Sequence, residues 1–185
     1  MKMIHLNTQD IKSQVLDLVQ QIYDSDWRPD YIVGITRGGL TPATMLSHYL
    51  KINMYTLDVR LRDGGDPETN MQMATDAVGI DISSFTYEEV IDPRNILIVD
   101  DINDSGATFN WIKQDWENAG IPSRVPRRRL TWESVWGSNV RFASLVNNEG
   151  SSFKNISYSS LIINKTESPS WIVFPWENWW SDKNW

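Results

Sequence analysis

The chain has 185 residues, a formal net charge of −7 and no cysteine; that length suits one domain, which at this size buries about 70% of its extended-chain surface and needs no covalent staples. Without cysteine there is no disulfide, no thiolate zinc site and no thiol nucleophile, and the acidic balance argues against a nucleic-acid footprint. No stretch approaches the roughly 18 apolar residues of a membrane helix, and the opening residues lack a basic segment followed by an apolar run, so a cytoplasmic protein without a membrane partner is expected.

Ile11, Val15, Leu18, Val19 and Ile22 recur at helical spacing, with Thr8 placed as the cap. Tyr31–Ile35 reads as a buried strand, Thr36-Arg37-Gly38-Gly39 as a turn, and Thr41 to Leu50 as a helix. Asn53–Val59 is a second strand. Residues 60–80 show no sustained period and are rich in Asp, Gly and Thr, which fits a flexible loop over about 61–80 that closes on a site. Asn95–Val99 is the most apolar strand and stops at Asp100-Asp101. Phe109, Ile112, Trp116 and Ala119 form the apolar face of the next helix, ended by Gly120 and Pro122. Residues 121–139, with the basic run Arg127–Arg129, resist placement; Val140–Val146 and Tyr158–Ile163 read as strands. Strands alternating with helices define an α/β fold with a mostly parallel central sheet flanked by helices.

The chemistry concentrates in Ile96–Thr108. A buried strand ends in two acids, and a short loop with Asp104, Ser105, Gly106, Ala107 and Thr108 opens a helix. Ligands of open α/β sheets lie beyond the carboxyl ends of the strands, and a helix N-terminus suits a phosphate. Carboxylates would repel that phosphate, so Asp100 and Asp101 suit sugar hydroxyls or a hydrated divalent cation instead. Phosphate at one end and a diol with metal at the other describe a ribose 5-phosphate. The sequence lacks the glycine-rich signatures of P-loop NTPases and dinucleotide-binding folds.

An apolar strand, two acids, two residues and then Asp-(Ser/Thr)-Gly-x-Thr resembles the signature by which type I phosphoribosyltransferases bind 5-phosphoribosyl-1-pyrophosphate (PRPP). The resemblance implies that Asp100 and Asp101 meet the ribose and a Mg2+ ion through water, that Asp104–Thr108 hold the 5′-phosphate, and that Asp104 is the general base. Gly34–Leu40 resembles the family's pyrophosphate loop, with Arg37, Gly38 and Gly39 on the leaving group. In the bacterial xanthine–guanine branch this loop carries a non-proline cis peptide, which makes Thr36–Arg37 its candidate.

Ten tryptophans are present, and five of them (Trp171, Trp176, Trp179, Trp180 and Trp185) lie in the last fifteen residues. Trp171-Ile172-Val173-Phe174-Pro175-Trp176-Glu177 resembles the C-terminal hood of the xanthine–guanine branch, which implies that Trp171 and Ile172 cover a base; Trp179, Trp180 and Trp185 are expected to pack a core or an oligomer interface. That branch places a lysine after the strand that follows the PRPP helix, and here Asn148 stands at the aligned position. An amide donates to a carbonyl but carries no charge.

The implied organisation is a single domain over 1–185, with a core at about 28–150 and a small C-terminal hood from 151–185 joined by the N-terminal segment. The implied reaction transfers the phosphoribosyl group of PRPP to a nitrogenous base, a 6-oxopurine, and releases pyrophosphate, in a homo-oligomer (dimer or tetramer) active in purine salvage. The alternatives are an orotate or other pyrimidine transferase and a non-catalytic PRPP-binding regulatory module. Pyrimidine enzymes lack the Trp-Ile-x-x-Pro-Trp-Glu ending, and a regulator would carry a basic surface or an added DNA-binding domain.

Overall fold

A computed structural model describes residues 2–59, 61, 70–80, 92–119, 131–177 and 179–180. In chain order the elements are β1 (Lys2–His5), α1 (Thr8–Asp24), β2 (Tyr31–Thr36), α2 (Leu40–Leu50), β3 (Met54–Asp58) and α3 (Met71–Val78). They continue with β4 (Ile96–Asn103), α4 (Ala107–Asn118), α5 (Trp132–Val135), β5 (Val140–Asn148), β6 (Tyr158–Ile163) and β7 (Ser170–Val173). Five strands form one sheet in the order β3-β2-β4-β5-β6, all parallel, while β1 and β7 pair in parallel as a separate ribbon.

Strands in such a sheet are buried on both faces, because helices cover each side. Alternation distributes β4 accordingly: Ile96 and Ile98 pack with α3, α4 and Phe142 on one face, while Leu97 and Val99 pack with α1, α2 and Ile172 on the other. On the first face Phe109, Phe142 and Phe153 meet edge to face or tilted, with centroids 4.7–5.2 Å apart. The helix α1 is capped by Asn7 rather than Thr8. Its side chain accepts from the amides of Gln9 and Asp10, and Asp10 reciprocates at the Asn7 amide, the two-way box that a hydroxyl at residue 8 would shift by one position.

Two expectations from the sequence need correction. Residues 71–78 form no lid; they are α3, with Met73, Ala74, Ala77 and Val78 buried in the core. Asn70 caps it, Gly79 ends it at φ 72°, and Tyr31 Oη donates to Asp76 on its buried side at 3.1 Å. Residues 62–69 of the expected loop and the basic run at 127–129 lie outside the described residues. Of the two roles expected for the end of the aromatic tail, packing the core of this chain is not what Trp179 and Trp180 do: they are exposed and touch each other edge to face, whereas Trp176 packs against the core and Trp185 lies outside the described residues. Within the described residues no helix is long and apolar enough to cross a membrane.

Candidate active site

The order β3-β2-β4 means that the chain leaves β2 on one side and later returns on the other. Ligands of open α/β sheets bind where the strand order reverses in this way. The carboxyl ends of β2 and β4 carry the two motifs singled out in the sequence, so the topology brings them together.

The turn after β2 begins with a cis peptide between Thr36 and Arg37, and Thr36 Oγ1 donates to Asp58 at the end of β3 at 2.8 Å. Gly38 and Gly39 lie directly against β4. A Cβ on Gly38 would fall on the Asp101 carboxylate, and one on Gly39 would meet the carbonyl oxygens of Val99 and Ile35. Neither position has room for a side chain, which is why both are glycine. The Arg37 side chain is exposed beside them.

β4 continues through the acids to Asn103, so Asp100 and Asp101 belong to the strand rather than to a loop after it. The pairing of Asp100, Ile102 and Asn103 with β5 holds them in extended backbone. Asp101 donates its backbone N–H to Asp100 Oδ1 at 2.9 Å. Burial pushes the Asp101 carboxyl up to about 6 from 3.8; Asp100 lowers it by hydrogen bonding, and the Glu177 carboxylate raises it further. Glu177 reaches this position because its side chain accepts from the Phe174 amide at 3.1 Å, closing the turn after β7.

A sign for pH dependence follows. Between about pH 4 and 6 the folded chain retains a proton at Asp101 that the unfolded chain has released, so stability falls as pH rises through that window and the loss is complete above it. With divalent cations chelated, Asp101→Asn should therefore raise the melting temperature at about pH 7.5 by more than at about pH 4. Thermal melts at both pH values check this; an equal change at both would contradict it.

Beyond β4, Gly106 stands at the N-cap of α4 with φ 85°, backbone that suits glycine. A Cβ there would meet the amide of Phe153 and the Ser151 and Ser152 hydroxyls. That segment braces the loop from behind. The Ser105 carbonyl accepts from the Ser152 amide at 3.0 Å and the Ser152 hydroxyl at 2.7 Å. Buried Asn103 donates to the Phe153 carbonyl and to Asn147, and accepts from the Ser151 hydroxyl. Ser105 and Ala107 are exposed and Thr108 is half-buried at the mouth of the helix. Asn103, Ser151, Ser152 and Phe153 were not anticipated. Asn103 sits at a free position of the motif, and the others come together only through the β4–β5 pairing.

Asp104 links this loop to the hood. Its carboxylate pairs with Lys165 at 2.9 Å, and Lys165 Nζ stands 5.7 Å from the centre of the Trp171 ring. Trp171 is 41% exposed on β7, whereas Ile172 is buried in the core. Successive strand residues point to opposite faces, so the Ile172 side chain cannot share the surface that Trp171 presents. Asn148 also departs from expectation. It is buried, its amide donates to the Asp104 carbonyl at 3.0 Å and more distantly to Oδ1, and its oxygen accepts from the amides of Gly150 and Lys165. The side chain aligned with a base-reading lysine is instead committed to holding two loops together.

Fold and site converge on one class, and the comparisons agree. The chain belongs to the phosphoribosyl transferase family, whose domain model matches residues 5–124. By family and fold it is a type I phosphoribosyltransferase. No curated protein matches it in sequence. Among solved structures, a purine phosphoribosyltransferase from Pyrococcus horikoshii Ot3 is similar at 23% identity and TM-score 0.61, with 96% of each chain covered. A xanthine-guanine-hypoxanthine phosphoribosyltransferase from Helicobacter pylori is similar at 21% identity and TM-score 0.62, covering 95% of this chain and 94% of that one. A hypothetical protein from Neisseria gonorrhoeae with bound ppGpp follows at 20% and 0.58, covering 95% and 89%. At these identities the likeness establishes the shared fold.

Proposed function

We propose that the protein transfers the 5-phosphoribosyl group of PRPP to a ring nitrogen of a 6-oxopurine, with release of pyrophosphate, in purine salvage in the cytoplasm. The observation that carries this reading is the contact between Gly38 and the Asp101 carboxylate, which joins a pyrophosphate-type turn to a ribose-type acid pair at the point where the sheet order reverses. The same end of the sheet opens on the Asp104–Thr108 loop, and the exposed indole of Trp171 follows through Lys165.

In this reading the 5′-phosphate takes the first-turn amides of α4 with the Ser105 and Thr108 hydroxyls; Gly106 has no side chain to occupy those amides, and the long 3.3 Å bond from the Ala107 amide to the Ser105 hydroxyl gives way to the phosphate. Asp100 and Asp101 take the ribose hydroxyls. They also fit a divalent cation: a half-buried acid whose proton is retained by desolvation and a neighbouring Glu177 is relieved by positive charge, and Mg2+ is commonly held by one or two carboxylates together with substrate phosphates. Asp100 and Asp101 would hold it, and it would supply charge neutralisation for the pyrophosphate. Arg37 and the amides of Gly38 and Gly39 bind that leaving group, the guanidinium as a planar fork. As the bond from the sugar C1 to pyrophosphate breaks, the base nitrogen bonds to C1 and gives up its proton. Both recorded contacts of the Asp104 carboxylate fall on Oδ1, and Oδ2 is the oxygen we assign to that proton. A base stacked on Trp171 gains about 0.5–1.5 kcal/mol beyond burial.

The purine assignment draws on the hood, on the Trp171 surface and on the purine substrates named for the Pyrococcus and Helicobacter proteins. Pyrophosphate release in the presence of PRPP, Mg2+ and a panel of purines and pyrimidines tests it. Release with hypoxanthine, guanine or xanthine is expected. Release with orotate or uracil alone would replace the purine reading, and none with any base would sink the transferase reading.

A further inference from the structure

Buried hydroxyls in native folds are nearly always hydrogen-bonded, because an unpaired one has lost its bonds to water and gained none. Ser144 departs from that rule. It lies in the middle of β5, fully buried, and its Oγ has no hydrogen-bond partner among the described residues. Across the parallel register Ser144 stands between Asp100 on β4 and Ser159 on β6. Residues in register on neighbouring strands point their side chains to the same face of the sheet. The hydroxyl therefore has an acid of the candidate site on one side and a second hydroxyl on the other.

In the free chain the Asp100 carboxylate is turned along its own strand, where Oδ1 accepts the Asp101 N–H at 2.9 Å. A ligand held by the acids draws that carboxylate towards itself, and the carboxylate must then be fixed in a new direction. Ser144 is the donor placed to fix it. Rotation about one side-chain bond, from one staggered position to another, aims its proton at β4. A hydroxyl on a carboxylate also makes one of the shorter and stronger hydrogen bonds. Ser159 is the poorer partner: it already flanks Ser144 without taking its proton, and it belongs to the edge strand β6, two strands from the acids.

We propose that Ser144 is a positioning residue, whose hydroxyl donates to the Asp100 carboxylate when that acid engages the ribose and its metal ion. This role rests on the phosphoribosyl-transfer reading and deepens it. The free protein carries an unpaired hydroxyl, and the bond that satisfies it forms only with the ligand in place. Some stability of the free chain is thereby exchanged for affinity.

One substitution then has effects of opposite sign. Ser144→Ala removes a buried hydroxyl that has no partner, so the unliganded variant should melt at the parent's temperature or above it. Its affinity for PRPP with Mg2+, measured by calorimetric titration, should fall by about 10–100-fold, the factor to which a hydrogen bond to a charged group corresponds. In steady-state pyrophosphate release the loss should appear in the KM for PRPP and not in the KM for the base. A lower melting temperature of the unliganded variant overturns the proposal, because the hydroxyl then had a partner within the fold. Unchanged affinity for PRPP overturns it whatever the melt shows. A parent protein that does not bind PRPP with Mg2+ overturns the underlying transferase reading instead, an outcome distinct from a parent and a variant that bind it equally well.

Discussion

Gly38→Ala should lower the rate of pyrophosphate release by about 100-fold or more while leaving the protein folded. A methyl group at residue 38 falls on the Asp101 carboxylate. Two relaxations are open: the carboxylate turns away, or the turn after β2 lifts from β4. The first removes a ligand proposed for the ribose and metal, and the second displaces the amides proposed for pyrophosphate. Either separates groups that must act on one substrate at once, and a misplacement of about 1 Å is enough for a loss of this size. The core beneath is untouched, because Val33, Ile35, Ile98 and Val99 keep their packing. Steady-state kinetics beside a thermal melt checks both parts. A variant as active as the parent would show that the contact between the turn and β4 has no part in turnover.

Phe153→Ala should destabilise the fold by about 3–5 kcal/mol and weaken PRPP binding as well. The ring is buried between Phe109 and Phe142, with centroids 5.2 and 4.7 Å away, so truncation leaves a cavity in the middle of one face of the sheet. Its backbone has a second task. The carbonyl accepts from Asn103, and the amide backs the position where Gly106 passes without a side chain. Loosening this strut frees the loop proposed for the 5′-phosphate. Urea denaturation gives the stability change, and calorimetric titration with PRPP at a temperature where the variant remains folded gives the second. Loss of stability with unchanged PRPP affinity would show that the ring anchors the core alone.

The fold was largely legible because a parallel sheet writes itself as short apolar runs between helical periods. β6 appears at the expected residues and β2 one residue longer. β4 was harder to bound, since charged residues normally end a buried strand; here the β5 pairing carries it through Asp100 and Asp101 to Asn103. The helix α3 was hidden by the Asp- and Gly-rich stretch before it, although Asn70 and Gly79 mark its two ends. The cis peptide at Thr36–Arg37 appears where the family resemblance directed attention.

In the site, legibility divided by distance along the chain. The acid pair, the Asp104–Thr108 loop and the glycine turn were visible because each is a contiguous motif whose chemistry can be read in place. Lys165, Glu177 and Ser151–Phe153 were not, because they matter through partners 48 to 76 residues away: Lys165 at Asp104, Glu177 at Asp101 and Ser151 at Asn103. Asn148 misled for the same reason. Alignment located it along the chain, but the hydrogen bonds that engage both ends of its amide come from Asp104, Gly150 and Lys165.

The pairing of β1 with β7 has a consequence for how the molecule comes into being. Lys2–His5 is made before the five-stranded sheet, yet its partner Ser170–Val173 is made after the whole of that sheet. The elements proposed for PRPP can assemble while β1 still waits, and the surface proposed for the base closes only when β1 and β7 join. On the proposed reading, sugar recognition is thus built early and locally, base recognition late and across the chain. An evolving lineage could remodel the second by editing the terminal strands while the first stays intact.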